Sequence, residues 1–324
     1  MAREGRSQRD SATGKRVAAA STSETGAAVP RLALILIAAI SILWGLNWPA
    51  MKFVVGELDP WTFRVFSVYG AGLTLLLIAR LTREPMAVPR GLRGRLALIS
   101  FFAITCWHML TAYGLGFVGG GRAAIVAFTM PVWAMLLSVA FLGERLDLRR
   151  VLALACGMGG IGFLVGSDFY TLGSSPVGTF LILAAAMCWG IGTVGVKAFD
   201  WRIGAIALSG WMMVIGGLPI LVFWLVTVAP PDLSRLDGTG LLALGYVIFV
   251  ALVFCFTAFL RIVTLLPAGI AAISTLVIPV VGVISSAILL GETVGTGEIT
   301  ALVLVLFALA LVLLRPARSV ASPK

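Results

Sequence analysis

Apolar residues fall in long unbroken runs along this chain, separated by short stretches that carry most of the charge. Each run is roughly 18 to 25 residues, enough for an α-helix to cross a hydrocarbon core of about 30 Å. The runs are continuous rather than alternating, which excludes a membrane β-barrel. They predict ten spanning helices, near residues 32–55, 60–80, 96–117, 122–142, 149–166, 177–198, 203–226, 240–263, 268–290 and 297–314. The loops between them are too short for a soluble catalytic or nucleotide-binding domain. The predicted fold class is an all-α polytopic membrane protein.

The pattern is written twice. Ala123-Ala124-Ile125, Pro131 and Gly143-Glu144 recur as Ala271-Ala272-Ile273, Pro279 and Gly291-Glu292, at an offset of 148 residues. At an offset of 145, Trp44-Gly45 and Lys52 recur as Trp189-Gly190 and Lys197. The domain organisation expected is a disordered cytoplasmic tail over 1–31, a first five-helix repeat over 32–166, a second over 177–314, and a cytoplasmic C-terminal tail over 315–324. Five is odd, so the second copy enters the membrane from the opposite side. Inverted repeats of this kind give two nearly equivalent packings, one open to each side, as alternating access requires.

Composition sharpens the class. The chain is 60% hydrophobic and 12% charged, against about 25% charged in soluble domains. Its net charge of +10 does not point to nucleic acid, because the basic residues sit in tails and short loops rather than on a compact basic domain. They obey the positive-inside rule instead. Arg3, Arg6, Arg9, Lys15, Arg16 and Arg31 precede span one, and Arg80, Arg83, Arg90, Arg93 and Arg95 follow span two. Arg145, Arg149 and Arg150 follow span four, and Arg315, Arg318 and Lys324 end the chain. Residues 56–59 and 167–176 carry none. Both termini are thus expected in the cytoplasm. Cys106, Cys156, Cys188 and Cys255 lie inside spans without metal-site spacing, and read as packing residues.

The candidate chemistry lies inside the spans. Pro131 and Pro279 each remove a backbone N–H and free a carbonyl four residues earlier, on Ala127 and Thr275. Their matched placement suggests hinges beside a substrate path. Thr129, Ser274 and Thr275 lie within about a turn of them. Trp44, Asn47, Trp48 and Lys52 share one face of span one by their i, i+3, i+4, i+8 spacing, and span six repeats the theme with Trp189, Thr193 and Lys197. An amide flanked by indoles suits an inward face and a pocket for a partly apolar metabolite. Trp107, Trp133 and Trp211 also lie deep, whereas Trp61 and Trp201 read as interfacial anchors. His108, the only histidine, reads as a satisfied buried group or a proton carrier. Lys52, Arg64, Lys197 and Arg261 lie within a turn or two of span ends, so snorkelling accounts for them. Lys52 and Arg64, in the outer half, are also placed to attract a carboxylate. Glu144 and Glu292 read as helix-end or gate contacts.

Absences narrow the function. No acidic residue lies deep in a span, unlike the carboxylate a proton-coupled exporter of cationic drugs relies on. Gly119-Gly120-Gly121-Arg122 lacks the Lys-Ser/Thr of a P-loop. There is no GxSxG, HExxH or paired intramembrane aspartate, so hydrolase and protease readings have no residues to rest on.

Together the Trp44-Gly45 and Trp189-Gly190 pairs and the two Pro-to-Gly-Glu elements resemble the ten-span EamA branch of the drug/metabolite transporter superfamily, over about residues 32–314. Within it, the aromatic-rich spans look most like the YddG-type amino-acid exporters. The resemblance implies a basket-like bundle with a central cavity lined by spans one, three, four, six, eight and nine. Gly157, Gly159, Gly160 and Gly162 in span five would then serve helix packing. It implies export of amino acids, including aromatic or other neutral ones, and related metabolites across a bacterial inner membrane, with no covalent chemistry. The expected substrate-binding residues are Trp44, Asn47, Trp48, Trp107, His108, Thr129, Trp189, Thr193, Trp211, Ser274 and Thr275, with Pro131 and Pro279 as hinges. The expected partners are a small-molecule substrate and the bilayer. The chain is expected to work as a monomer without nucleic acid, cofactor or metal. A drug or nucleotide-sugar carrier of the same superfamily, and a membrane enzyme or flippase, are the alternatives.

Overall fold

Inside a bilayer every backbone polar group must find its partner within the protein, and a helix supplies those partners locally. The computed structural model accordingly follows the apolar runs with helices. It describes residues 31–142, 176–228, 236–259 and 277–313, with scattered positions between 148 and 163. Helix α1 spans Arg31–Glu57, α2 Pro60–Leu81, α3 Arg90–Phe117, α4 Gly120–Ala127 and α5 Met130–Leu142. Then come α6 over Val177–Lys197, α7 over Ala205–Thr227, α8 over Gly238–Phe259, α9 over Val277–Leu290 and α10 over Thr296–Leu313. Six of these (α1, α2, α3, α6, α7 and α8) are long and apolar enough to cross a membrane, and shorter apolar helices accompany them. The chain is a polytopic helical membrane protein. Both tails, most of span five, and the stretch holding Ala271-Ala272-Ile273, Ser274 and Thr275 lie outside the described residues, as do Glu144 and Arg261.

Helix starts are set by local chemistry. Asp59 accepts hydrogen bonds from the N–H groups of Trp61 and Thr62, both 3.0 Å, and Pro60 occupies the first position of α2, where a missing N–H costs nothing. Asp237 caps α8 in the same way through Thr239 and Gly240.

Two features depart from plain helix. Span four is two helices: α4 ends at Ala127, and Pro131 sits in the first turn of α5 rather than inside one helix. Thr129 holds the break, its hydroxyl donating to the Val126 carbonyl at 2.7 Å. Wide π-helical turns interrupt α3 at Phe101–Cys106 and α8 at Tyr246–Phe254. The two stretches begin 145 residues apart, the offset already seen between the tryptophans.

Packing follows the duplication. Gly45 of α1 lies so close to Val281 and Gly282 of α9 that a Cβ would overlap the valine. Its repeat partner Gly190, in α6, lies against Trp133 and Ala134 of α5, with a would-be Cβ 3.0 Å from the Ala134 nitrogen. Val281 and Gly282 stand 148 residues after Trp133 and Ala134. The same contact is therefore built twice from equivalent positions. A second seam joins α3 to α6 along their length, pairing Ile99 with Gly195, Ala103 with Gly192, and Ile182 with Gly114. Small residues allow such close approach in a bilayer, where packing rather than water drives association. Large apolar side chains, including Leu73, Leu77, Leu218, Val222 and Ile288, face outward.

Candidate functional site

The π-helical turns place aromatic rings. Trp107 follows directly on that of α3, and Phe256 comes two residues after that of α8. With Trp44 of α1 and Trp189 of α6 they form a continuous wall. Ring centroids are 4.9 Å apart for Trp107 and Trp189, 6.3 Å for Trp189 and Phe256, and 6.2 Å for Phe256 and Trp44. The Trp44 indole N–H donates to the Ala251 carbonyl at 2.8 Å, which fixes its plane. Beside the wall Cys106 and Cys188 are neighbours across the α3–α6 seam. Phe256 was not among the residues expected from the sequence.

The other expected site residues divide. Asn47 Oδ1 and His108 Nδ1 are buried with no hydrogen-bond partner among the described residues. Thr193 turns its hydroxyl back to the Trp189 carbonyl at 3.0 Å. Thr129 is committed to the helix break and accepts the Trp133 indole N–H at 3.2 Å. Trp48 is 4% exposed and packs against Gly282 in the core. Trp211 is not part of the wall. Its indole donates to the Met86 carbonyl at 2.9 Å and lines a separate groove of about 310 Å³ with Val88, Leu96 and Ile215. It lies early in α7, where that helix meets the loop after α2, and the loop carbonyl needs a donor. Ser274 and Thr275 lie outside the described residues. So does the side chain of Pro131; Pro279 is buried in the first described turn of α9.

Two charged groups behave differently from snorkelling side chains. Arg64 is buried, 1% exposed. Its Nε donates to the His108 carbonyl and its Nη2 to Thr111 Oγ1, both at 2.8 Å. Lys52 donates to the carbonyls of Leu115 and Val118, the latter at 2.9 Å, so it closes the C-terminal end of α3. Trp201, expected as an interfacial anchor, is also buried and donates to Val196 O at 2.9 Å. Trp61 stacks on Phe223 with centroids 4.0 Å apart.

Where α9 finishes and α4 begins, a polar latch joins the two halves of the chain. Gly291 ends α9 with φ +65°, a conformation that favours glycine. The turn sends Glu292 back over the start of α4, where its carboxylate accepts from Gly120 N–H at 2.8 Å and Gly121 N–H at 3.1 Å. An anion is favoured there by the unpaired N–H groups and the helix dipole. Gly119 and Gly120 leave the room, since a Cβ on either would crowd Glu292 or Ser286. Arg122 pairs with Glu298 of α10, Nε to Oε1 at 3.1 Å. A cleft of about 340 Å³ opens at this latch, lined by Phe117, Val283, Thr293 and the three charged groups. The Gly-Glu motif was legible in the sequence. The Arg122–Glu298 pair was not, because nothing in the spacing of residues 176 apart signals contact.

An all-helical bundle with an intramembrane aromatic wall, unpartnered polar atoms beside it and a polar latch across its halves is the architecture of a small-molecule transporter. The chain belongs to the EamA-like transporter family, which matches residues 31–166 and again 176–314. Among similar proteins, the uncharacterized transporter YvbV of Bacillus subtilis (strain 168) is 27% identical over 292 residues, covering 86% of this chain and 90% of its own. A protein of Salmonella typhimurium (strain LT2) named a "probable amino-acid metabolite efflux pump" is 26% identical over 289 residues, covering 86% of this chain and 92% of its own. The uncharacterized inner membrane transporter YedA of Escherichia coli (strain K12) is 26% identical over 291 residues, covering 88% and 93%. A solved crystal structure aligns over 87% of this chain and 96% of its own with a TM-score of 0.60 at 18% identity, a likeness of fold.

Proposed function

We propose that this protein exports amino acids and related small metabolites across a bacterial inner membrane by alternating access. The observation that carries this reading is the Trp44–Phe256–Trp189–Trp107 wall, assembled from both halves of the chain beside the unpartnered Asn47 and His108 atoms. Apolar rings with a few polar groups suit a small zwitterion carrying an apolar side chain. The Salmonella relative's name points the same way.

In this reading ten spans form two inverted five-helix repeats, over 32–166 and 177–314, around a central cavity, with both termini cytoplasmic. The doubled contact of Gly45 with Val281–Gly282 and Gly190 with Trp133–Ala134 supports the repeat relation. The latch of Glu292 and Arg122 then lies at the outer face, and this conformation is closed there. Opening would part α9 and α10 from α4 and bend the chain at the Phe128–Thr129 break and at Pro279. The substrate's own gradient suffices as the driving force.

Purified protein in liposomes is expected to exchange labelled phenylalanine, leucine or other neutral amino acids. Protein-free liposomes should not. Absence of exchange for all twenty amino acids would reject the assignment.

A further inference from the structure

We infer that Arg64, with His108, holds the carboxylate end of the transported molecule, with Asn47 beside them for an ammonium where one is present, so that the substrate class is carboxylic acids, zwitterions among them, and not amines. This rests on the transport reading above and adds the group that reads the substrate.

Arg64 is a cation buried inside the protein, one turn into α2, with only neutral neighbours. Beyond the His108 carbonyl and Thr111 it has Met51 Sδ at 3.6 Å and the Phe63 ring at 4.3 Å. No acidic residue pairs with it among the described residues. A buried charge without a counter-ion costs several kcal/mol, and an ionisable group at membrane depth ordinarily marks a pathway. An arriving carboxylate would supply the missing charge, and guanidinium suits it by shape as well as sign.

The surroundings point to the same ligand. The residue that gives Arg64 its carbonyl, His108, is 3% exposed and leaves Nδ1 without a partner. Carrying a proton there, it would donate a second hydrogen bond to a carboxylate. Asn47 stands one helical turn before Met51, on the same face of α1, and its unpartnered Oδ1 would accept from an ammonium. Trp107 precedes His108 on α3, so the aromatic wall stands at the same depth on the adjoining face of the helix. One end of an amino acid thus meets charge, the other meets rings.

Arg64 also ties α2 to α3, so a purely structural role needs an answer. A staple demanded by the five-helix unit would recur in the second copy. At the 145-residue offset Asn47, Arg64 and His108 are answered by Gly192, Ser209 and Val253. The cluster exists once, as a reading site would, on a scaffold that exists twice.

The test uses full-length protein in liposomes taking up labelled L-phenylalanine. The competitors are 3-phenylpropionate, which lacks the amine, and phenethylamine, which lacks the carboxylate. Wild type is expected to be inhibited at least tenfold more effectively by the acid. In Arg64→Gln and Arg64→Lys that preference should fall below about threefold, with KM for phenylalanine raised tenfold or more. Variants that slow every substrate but keep the preference overturn the inference and leave the transport reading standing. Should Arg64→Gln fail to reach the membrane, His108→Leu keeps the backbone carbonyl that Arg64 needs and should still lose the preference; an unchanged preference there overturns the inference. A wild-type protein that carries none of the twenty amino acids and no phenylpropionate rejects the transport reading and this site together.

Discussion

Glu292 shows how much one residue does once its turn is fixed. Gly291 must adopt positive φ to end α9, and that turn delivers a carboxylate to two backbone N–H groups. Hydrogen bonds to charged groups contribute about 1.5–3 kcal/mol each against an unmade bond. Glu292→Gln keeps the shape but removes the charge and turns an N–H toward an N–H. It should shift the balance toward the outward-open form by about 1–2 kcal/mol, roughly 5- to 30-fold. A cysteine placed at Thr293 in a cysteine-free background should then react faster with an impermeant maleimide. An unchanged rate would show that the latch carries no gating energy. Among residues, the sequence disclosed those whose meaning is positional: the Gly-Glu pair, the paired tryptophans, Asn47. It misled where depth decided. Arg64 and Lys52 lie near span ends by count, yet both turn inward to carbonyls rather than outward to water. Trp201 does the same. Distance along a helix does not say which way a long side chain turns.

At the scale of elements, apolar run length was a sound guide, and the described helix ends fall within a few residues of expectation except at the start of α3. Helices α3 and α8 both carry π-helical turns, which widen the helix without changing its apolar character and so leave no mark in the periodicity. The break between α4 and α5 was anticipated from Pro131, but as a kink inside one helix. Pro131 instead opens the second helix, where its lost N–H is harmless. The seam between α3 and α6 gives a direct probe of motion. Cys106 and Cys188 are neighbours in its middle, and removal of two electrons and two protons by copper–phenanthroline would join them as a disulfide. If inverted repeats exchange conformations during transport, this seam must slide as its repeat partner between α1 and α8 tightens. Oxidation should therefore lower exchange at least tenfold, with recovery in dithiothreitol and no effect on Cys106→Ser. Full activity with the disulfide formed would make the seam a static frame.

For the molecule as a whole, the duplication was the most legible property, because the offsets of 145 and 148 residues are visible without any structure. What they could not disclose is which repeat-related pairs touch; that required the glycine contacts between α1 and α9 and between α5 and α6. The inverted arrangement is checked by topology. Fluorescent-protein fusions at either end should both glow, and alkaline-phosphatase fusions at both should be silent. Ends on opposite sides would end the scheme. The two gates are not copies of each other. Glu292 has Glu144 as its double, but the Arg122–Glu298 pair has Ile270 and Arg150 at the 148-residue offset. One door carries an extra bolt. Under the export reading proposed above, a protein built this way rests shut toward the environment, so outside compounds find no waiting pocket, and a cell short of cargo leaks little through the pump it keeps ready.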